Sequence, residues 1–303
     1  MSSHDASHLV GFFCDIPMVG SGYFGMLQMG IMTRFRKARC ELLIKAFDLK
    51  DPDIPEQVHM LLERTPMLGV ILTEPMCDMA ELKGLLSRKG VPVVRIAPHT
   101  EDSATYDLSH DNLQAAVDMT NYLIGLGHKR VGFVKGPADH GDANTRFAGF
   151  RKAMEDAGLP VLEELCADGN FEYSSGLIAG EKLLAVVPPP TAIFACNDEM
   201  AVAVQATAQR LGLKIPQDLS IAGFDDAPLA RTVWPELTTC RQKMELMGYL
   251  AADFLINPPT SREARSRPQQ HELVIRQSTA RLKAPANDAA PVGRSAVGRG
   301  AAN

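Results

Sequence analysis

The stretch Thr191-Ala-Ile-Phe-Ala-Cys196, Asn197-Asp198, an alanine-rich apolar run to Leu211-Gly212, and Leu219-Ser-Ile-Ala-Gly-Phe224 ending in Asp225-Asp226 decides the fold. Two short apolar runs flank a helix-length segment. This is the pattern of a parallel crossover unit, whose strands are covered on both faces and need no polar alternation. Each strand ends in side chains able to hydrogen-bond, Asn197 and Asp198 after the first, Asp225 and Asp226 after the second. Ligands gather outside the carboxyl ends of the strands in open parallel sheets, so this is the expected binding edge.

The same alternation recurs on either side. Residues 9–14, 41–47, 68–73 and 91–96 read as strands and 54–64 and 79–89 as helices, which makes one doubly wound lobe. Residues 98–107 are polar, and Asp111 then caps a helix carrying Leu113, Ala116, Val117, Thr120, Leu123 and Ile124 on one face. A second sheet begins at 130–134. It is followed by a helix with Phe147, Phe150 and Met154 at helical spacing, a short extended piece at 169–171 and a helix over 175–186. Beyond the opening unit, 244–256 is a helix and 272–276 a strand. Residues 283–303 are rich in Ala, Gly, Pro and Arg and poor in large apolar side chains, so a disordered tail is expected there.

One motif misleads. Gly20-Ser-Gly22-Tyr-Phe-Gly25 matches the dinucleotide fingerprint, and Asp48 after the second strand falls where a ribose-binding acid would sit. In that fingerprint, however, the glycines follow the strand at once, so that a helix amino terminus meets the pyrophosphate. Here a loop with Asp15 and Pro17 intervenes, and Asp15 repels phosphate. No nucleotide or other cofactor is expected. Tyr23 and Phe24 instead open a helix whose Leu27, Ile31 and Phe35 face the sheet.

With 303 residues, 46% hydrophobic and 22% charged, the chain has ordinary globular composition. It has no long uncharged apolar run, and its start, Met-Ser-Ser-His-Asp-Ala-Ser-His, is no secretory signal, so a cytoplasmic protein without membrane contact is expected. The six cysteines are far apart with no Cys-x-x-Cys pair and suit core thiols rather than disulfides or a metal site. Net charge is −5; from Pro258 onward eight Arg or Lys face three Asp or Glu, which is +5 and leaves −10 for the rest. So acidic a body argues against nucleic-acid binding by this chain. The arginines near the end are most simply a solvated tail.

The segments Ala195-Cys-Asn-Asp-Glu-Met-Ala201 and Ile215-Pro-Gln-Asp-Leu-Ser-Ile-Ala-Gly-Phe-Asp-Asp226, followed by Pro235-Glu-Leu-Thr-Thr239, resemble the ligand-binding core of the lactose-repressor (LacI/GalR) family. Further matches at Gly127-His-Lys-Arg-Val-Gly132, Arg146 to Gly149 and Leu273-Val-Ile-Arg-Gln-Ser-Thr279 extend the similarity from about Leu9 to Arg281. The family's helix-turn-helix headpiece has no counterpart. The resemblance implies a periplasmic-binding-protein-like α/β fold of two doubly wound parallel-sheet lobes with a ligand cleft between them. The first lobe takes 9–107 plus about 242–270, the second 108–241 plus about 271–282. A ligand held by both lobes favours the closed form.

Residue by residue, the resemblance puts second-lobe contacts at Arg146, Phe171, Asn197 and Asp225, with Asp15, Tyr23 and Phe24 from the first lobe. Arg supplies a fork of donors, Asn a donor and an acceptor, Asp acceptors for hydroxyls and an aromatic ring a cover for a sugar's apolar face. Each type also has a plainer use: Arg146 on a surface helix, Phe171 in a core, Asn197 in a turn. Asp198 reads mainly as a helix cap and Asp226 as a turn residue. The expected cleft carries Asp15, Asp139, Asp142, Asp225 and Asp226 against Arg146 and Arg95, which suits a neutral saccharide better than a phosphate.

The leading function is therefore the effector-sensing and dimerising region of a LacI-type transcriptional regulator, acting on an operator only through a headpiece. Met26, Met29, Met60 and Met67 are candidates for a homodimer face. A sugar solute-binding protein of the same fold is the alternative. An enzyme, such as a nucleotide-dependent dehydrogenase, ranks third: no Gly-x-Ser-x-Gly elbow appears and His110 has no obvious catalytic partner.

Overall fold

The structure, a computed structural model, describes residues 8–100, 102, 104–259, 261 and 266–283. The tail expected to be disordered lies, apart from Lys283, outside the described residues. The chain begins with β1 (Leu9–Asp15), α1 (Gly22–Ala38), β2 (Glu41–Phe47), α2 (Ile54–Arg64), β3 (Gly69–Thr73), α3 (Ala80–Arg88), β4 (Val93–Ile96) and β5 (Tyr106–His110). It continues with α4 (Asn112–Gly125), β6 (Val131–Val134), α5 (Gly141–Asp156), β7 (Cys166–Ala167), α6 (Tyr173–Leu184), β8 (Ala192–Ala195), α7 (Asp198–Arg210), β9 (Ser220–Asp225) and β10 (Thr238–Arg241). Last come α8 (Met244–Ile256), β11 (Ser266–Gln269) and β12 (Glu272–Val274).

The strands form two six-stranded sheets, ordered β11-β5-β4-β3-β1-β2 and β12-β10-β9-β8-β6-β7. Every pairing is parallel except that of β12 with β10. Two doubly wound lobes result, and the chain passes between them after β5, after β10 and after β11. Helices on both faces explain why the strands are apolar without alternation: Val10, Phe12, Phe13 and Cys14 of β1 are all buried. The second lobe is centred on Phe133, whose ring packs against Phe147, Phe150 and Phe194. All six cysteines are free thiols, and five are buried. Among the described residues no helix is long and apolar enough to cross a membrane.

The first lobe borrows a helix from late in the sequence. α8 lies against α1, and Met247, Ala251 and Phe254 share a core with Phe12, Leu27 and Ile31. The two backbones meet through glycine. A Cβ on Gly30 would collide with the carbonyl of Glu245, and one on Gly248 with the carbonyl of Leu27. Neither obstacle is the end of a flexible side chain. Gly248→Ala should gain up to about 1 kcal/mol of helix propensity yet destabilise the protein by about 1–3 kcal/mol net, because the helices must part. Urea unfolding at two wavelengths measures this.

Several segments differ from the sequence reading, among them β11, whose Ser-Arg-Pro-Gln was not expected as a strand. β5 was not expected, because its Tyr-Asp-Leu-Ser-His is mostly polar; only Leu108 is fully buried, and the strand lies between β4 and the short β11. The extended piece expected at 169–171 is instead a loop after β7, which ends at Ala167. The strand expected over 272–276 stops at Val274.

Candidate functional site

A cavity of about 500 Å³ lies at the carboxyl edges of both sheets. Asp15 at the end of β1, Tyr23 in the first turn of α1 and Glu74 just past β3 line it from the first lobe. From the second come Arg146 of α5, Phe171 after β7, Asn197 after β8 and Asp225 at the end of β9. Six of the seven residues named from the sequence are thus brought together. Phe24 is not: it is buried in the first core, its ring stacked on Phe12 at 5.1 Å. Adjacent residues on a helix point about 100° apart, so when Phe24 turns to the sheet Tyr23 turns to the cavity.

Arg146 is 3% exposed, which excludes a surface role. Its Nε donates to Asn112 Oδ1 and its Nη1 to the Cys196 carbonyl, both at 2.8 Å, and its guanidinium lies 3.9 Å above the Phe224 ring. Two carboxylates flank it, Asp225 at 3.7 Å and Asp142 at 3.8 Å. Asp225 accepts from Gln242 Nε2 at 2.7 Å. Burial pushes its carboxyl up to about 7, against the pull of the Arg146 guanidinium. Burial likewise holds the Tyr23 hydroxyl well above its ordinary value, with the Asp142 and Asp225 charges acting in the same sense. Asp15 is raised by burial, although the Met18 backbone N–H offsets part of the rise.

Asn197 caps α7, its Oδ1 accepting from Met200 N at 3.0 Å, while its Nδ2 donates to the Phe171 carbonyl at 2.8 Å. That bond fixes the Phe171 loop. Phe171 has φ 69°, Asp225 φ 114° and the lining Ala97 φ 59°, left-handed values that non-glycine residues seldom adopt. Such strain concentrates where function over-determines the backbone.

Three charged residues take other places than the sequence suggested. Asp198 is not the cap: its buried carboxylate accepts from Ala227 N at 2.7 Å and Thr239 Oγ1 at 2.6 Å, tying β10 and the segment after β9 to α7. Asp226 is no free turn residue and does not line the cavity, since Arg231, Arg241 and Arg276 all donate to its buried side chain. Arg95 is no cleft cation. It is fully buried and held by Asp107 Oδ1 at 2.9 Å and Oδ2 at 2.7 Å.

Sequence reasoning passed over Glu74, His99, His140 and Glu199, which join the lobes. Glu74 accepts from the backbone N–H groups of Gly141 and Asp142 at the start of α5, where the helix dipole favours a carboxylate. His99 Nε2 reaches Asp142 Oδ1 at 3.0 Å. Glu199 accepts from Gly22 N at 3.0 Å, so a carboxylate of the other lobe occupies the helix start that mimics a nucleotide fingerprint. Burial and the Asp142 charge push Glu74 up to about 7, against His99, and the bond to Asp142 holds His99 up to about 9. Burial lowers His140 to about 4. One signal was available: Glu74 stands just past the end of β3, the same position that singled out Asn197 and Asp225.

A family model described as a periplasmic binding protein-like domain matches residues 120–279. The HTH-type transcriptional repressor PurR of Vibrio parahaemolyticus is 33% identical over 232 residues, 75% of this chain and 68% of that protein. Catabolite control protein A of Priestia megaterium is 37% identical over 200 residues, 64% of this chain and 59% of that protein. The chain thus spans about six to seven tenths of these relatives. Among solved structures, a LacI family transcriptional regulator from Enterococcus faecium with bound ribose superposes with a TM-score of 0.80 at 22% identity, over 91% of this chain and 100% of the other.

Proposed function

This chain belongs to the LacI/GalR family of regulators with a periplasmic-binding-protein-like ligand region, and from that premise we propose that its cleft senses a neutral saccharide. The observation that carries the reading is the pairing of Arg146 with Asp225 at the floor of a cavity lined from both lobes. Fork donors and carboxylate acceptors side by side suit vicinal hydroxyls, and Tyr23, Phe171 and Tyr173 supply rings. Lining residues Asp15, Glu74, Asp139, Asp142, Glu172, Glu199 and Asp225 are acidic against one arginine, which disfavours a phosphate. The ribose on the Enterococcus faecium regulator supports the same ligand class. Asn197 acts by holding the Phe171 loop and capping α7, and Asp15 lines the cavity from the first lobe.

It works as a homodimer and meets an operator only through a helix-turn-helix headpiece; the PurR relative is named as an HTH-type transcriptional repressor. Support for a dimer comes from apolar side chains left in solvent on the first lobe: Met29 and Met32 of α1 and Met60 of α2 are 57%, 50% and 45% exposed. Met26 and Met67 are half-buried.

Calorimetry with mono- and disaccharides beside their phosphate esters tests the ligand class. A phosphate ester that binds more tightly than its parent sugar would overturn it. Asp225→Ala should weaken the best ligand about ten- to a hundredfold or more, from about 1.5–3 kcal/mol per charged hydrogen bond. The fold should survive, because Arg146 keeps Asp142 at 3.8 Å as counter-charge and burying the Asp225 carboxylate is itself costly. Wild-type affinity in the variant would remove Asp225 from the site.

A further inference from the structure

Saccharide recognition leaves one cluster at the lobe junction unexplained. Glu74 and His99 come from the first lobe, His140 and Asp142 from the second. His99 Nε2 lies 3.0 Å from Asp142 Oδ1 and 3.3 Å from Glu74 Oε2, and donor atoms of these three residues fall within 4.8 Å of one another. His140 Nδ1 stands 3.2 Å from Glu74 Oε2, yet among the described residues this buried nitrogen makes no hydrogen bond of good geometry.

These spacings suit a cation. An ion with bonds of about 2.0–2.2 Å in tetrahedral coordination sets neighbouring donor atoms about 3.3–3.5 Å apart, and the two measured edges lie within a few tenths of an ångström of that. Imidazole with carboxylate is a borderline donor set that suits zinc, whereas magnesium and calcium prefer oxygen alone. The positions are also well supported. Glu74 is held by two backbone N–H groups of α5, and His99 N donates to Asp78 Oδ2 at 2.8 Å. Cysteine spacing is the usual sign of zinc in a sequence, and this cluster uses none.

We propose that Glu74, His99 and Asp142 bind a divalent transition metal, zinc foremost, which bridges the lobes, with His140 beside the remaining coordination position. The metal draws ligands from both lobes, so it binds the closed arrangement alone and stabilises it by mass action. Glu74, His140 and Asp142 also line the cavity, which places the ion at the edge of the effector's space.

The full chain, stripped with a chelator, is titrated with zinc chloride by calorimetry, and bound metal is counted by mass spectrometry. The expected result is one zinc per chain. Affinity should fall at least about tenfold in H99Q, on one lobe, and in D142N, on the other, since even supporting residues of metal sites cost that much. H271Q, which alters the separate His271–Asp118 pair, should leave it unchanged. Zinc should raise the thermal midpoint of the wild type and not of H99Q, and circular dichroism of the stripped variants controls for folding. H99C, which keeps a ligand, should recover binding. Equal zinc affinity in wild type and H99Q, as from terminal His8, would overturn the proposal, and so would no uptake at all.

Discussion

Arg146→Ala is expected to destabilise the protein by about 3–5 kcal/mol, the range for removing one partner of a buried ion pair. Two flanking carboxylates, Asp142 and Asp225, would lose their shared counter-charge inside the protein. The Asn112 amide oxygen and the Cys196 carbonyl would lose their donor, and Phe224 its stacked cation. Read from the sequence alone, this substitution touches binding and leaves the fold intact. Burial adds the larger effect. Arg146→Lys separates the two, because lysine restores a charge but not the planar fork. Urea unfolding should find Lys between alanine and wild type, and calorimetry should find both variants impaired. An alanine variant as stable as wild type would show that the guanidinium is not structural.

Asp226→Ala should be nearly as damaging, at about 3 kcal/mol, while leaving the cavity untouched. Of its three arginines, Arg231 and Arg241 are partly exposed and can return to water, whereas the Arg276 side chain is 9% exposed and would keep only the longer, 3.6 Å pair with the exposed Glu236. The effect has a sign in pH. Burial alone would raise the Asp226 carboxyl, but hydrogen bonds from Arg231, Arg276 and Arg241 bring it below its ordinary value. Its stabilisation is thus complete above the unfolded value of about 3.9 and fades as pH falls through the lower folded one. Wild type and D226A should therefore differ fully in urea midpoint at neutral pH and converge in strong acid. A gap independent of pH would mean that packing, not charge, holds this junction.

The sequence carries most of the parallel strands because they are short apolar runs bounded by turn or helix signals, as around Phe194 or Phe224. It hides β5, where a polar strand is held by its neighbours and buries one leucine, since pairing across a sheet is not a local property. At the site the division is similar. Strand ends point to Asn197 and Asp225, but Asp225 and Asp226 are chemically the same and only their surroundings tell them apart. The arginines that claim Asp226 lie 5, 15 and 50 positions away. Glu74 meets Gly141 across 67 positions, and Gly22 meets Glu199 across 177. No periodicity reports such meetings; the two-lobe closure creates them.

The packing of α8 against α1 sets an order of assembly during synthesis. β1 to β5 leave the ribosome first, yet their core needs Met247 and Phe254. From Phe12 to Phe254 is 242 positions (254 − 12), which takes on the order of 12–50 s at roughly 5–20 residues per second. α4 to β10 are meanwhile contiguous and can condense as they emerge. The lobe translated first therefore cannot close its core until α8 appears, when the second lobe lacks only its edge strand β12, and for most of that interval the Leu27 and Ile31 face of α1 waits uncovered.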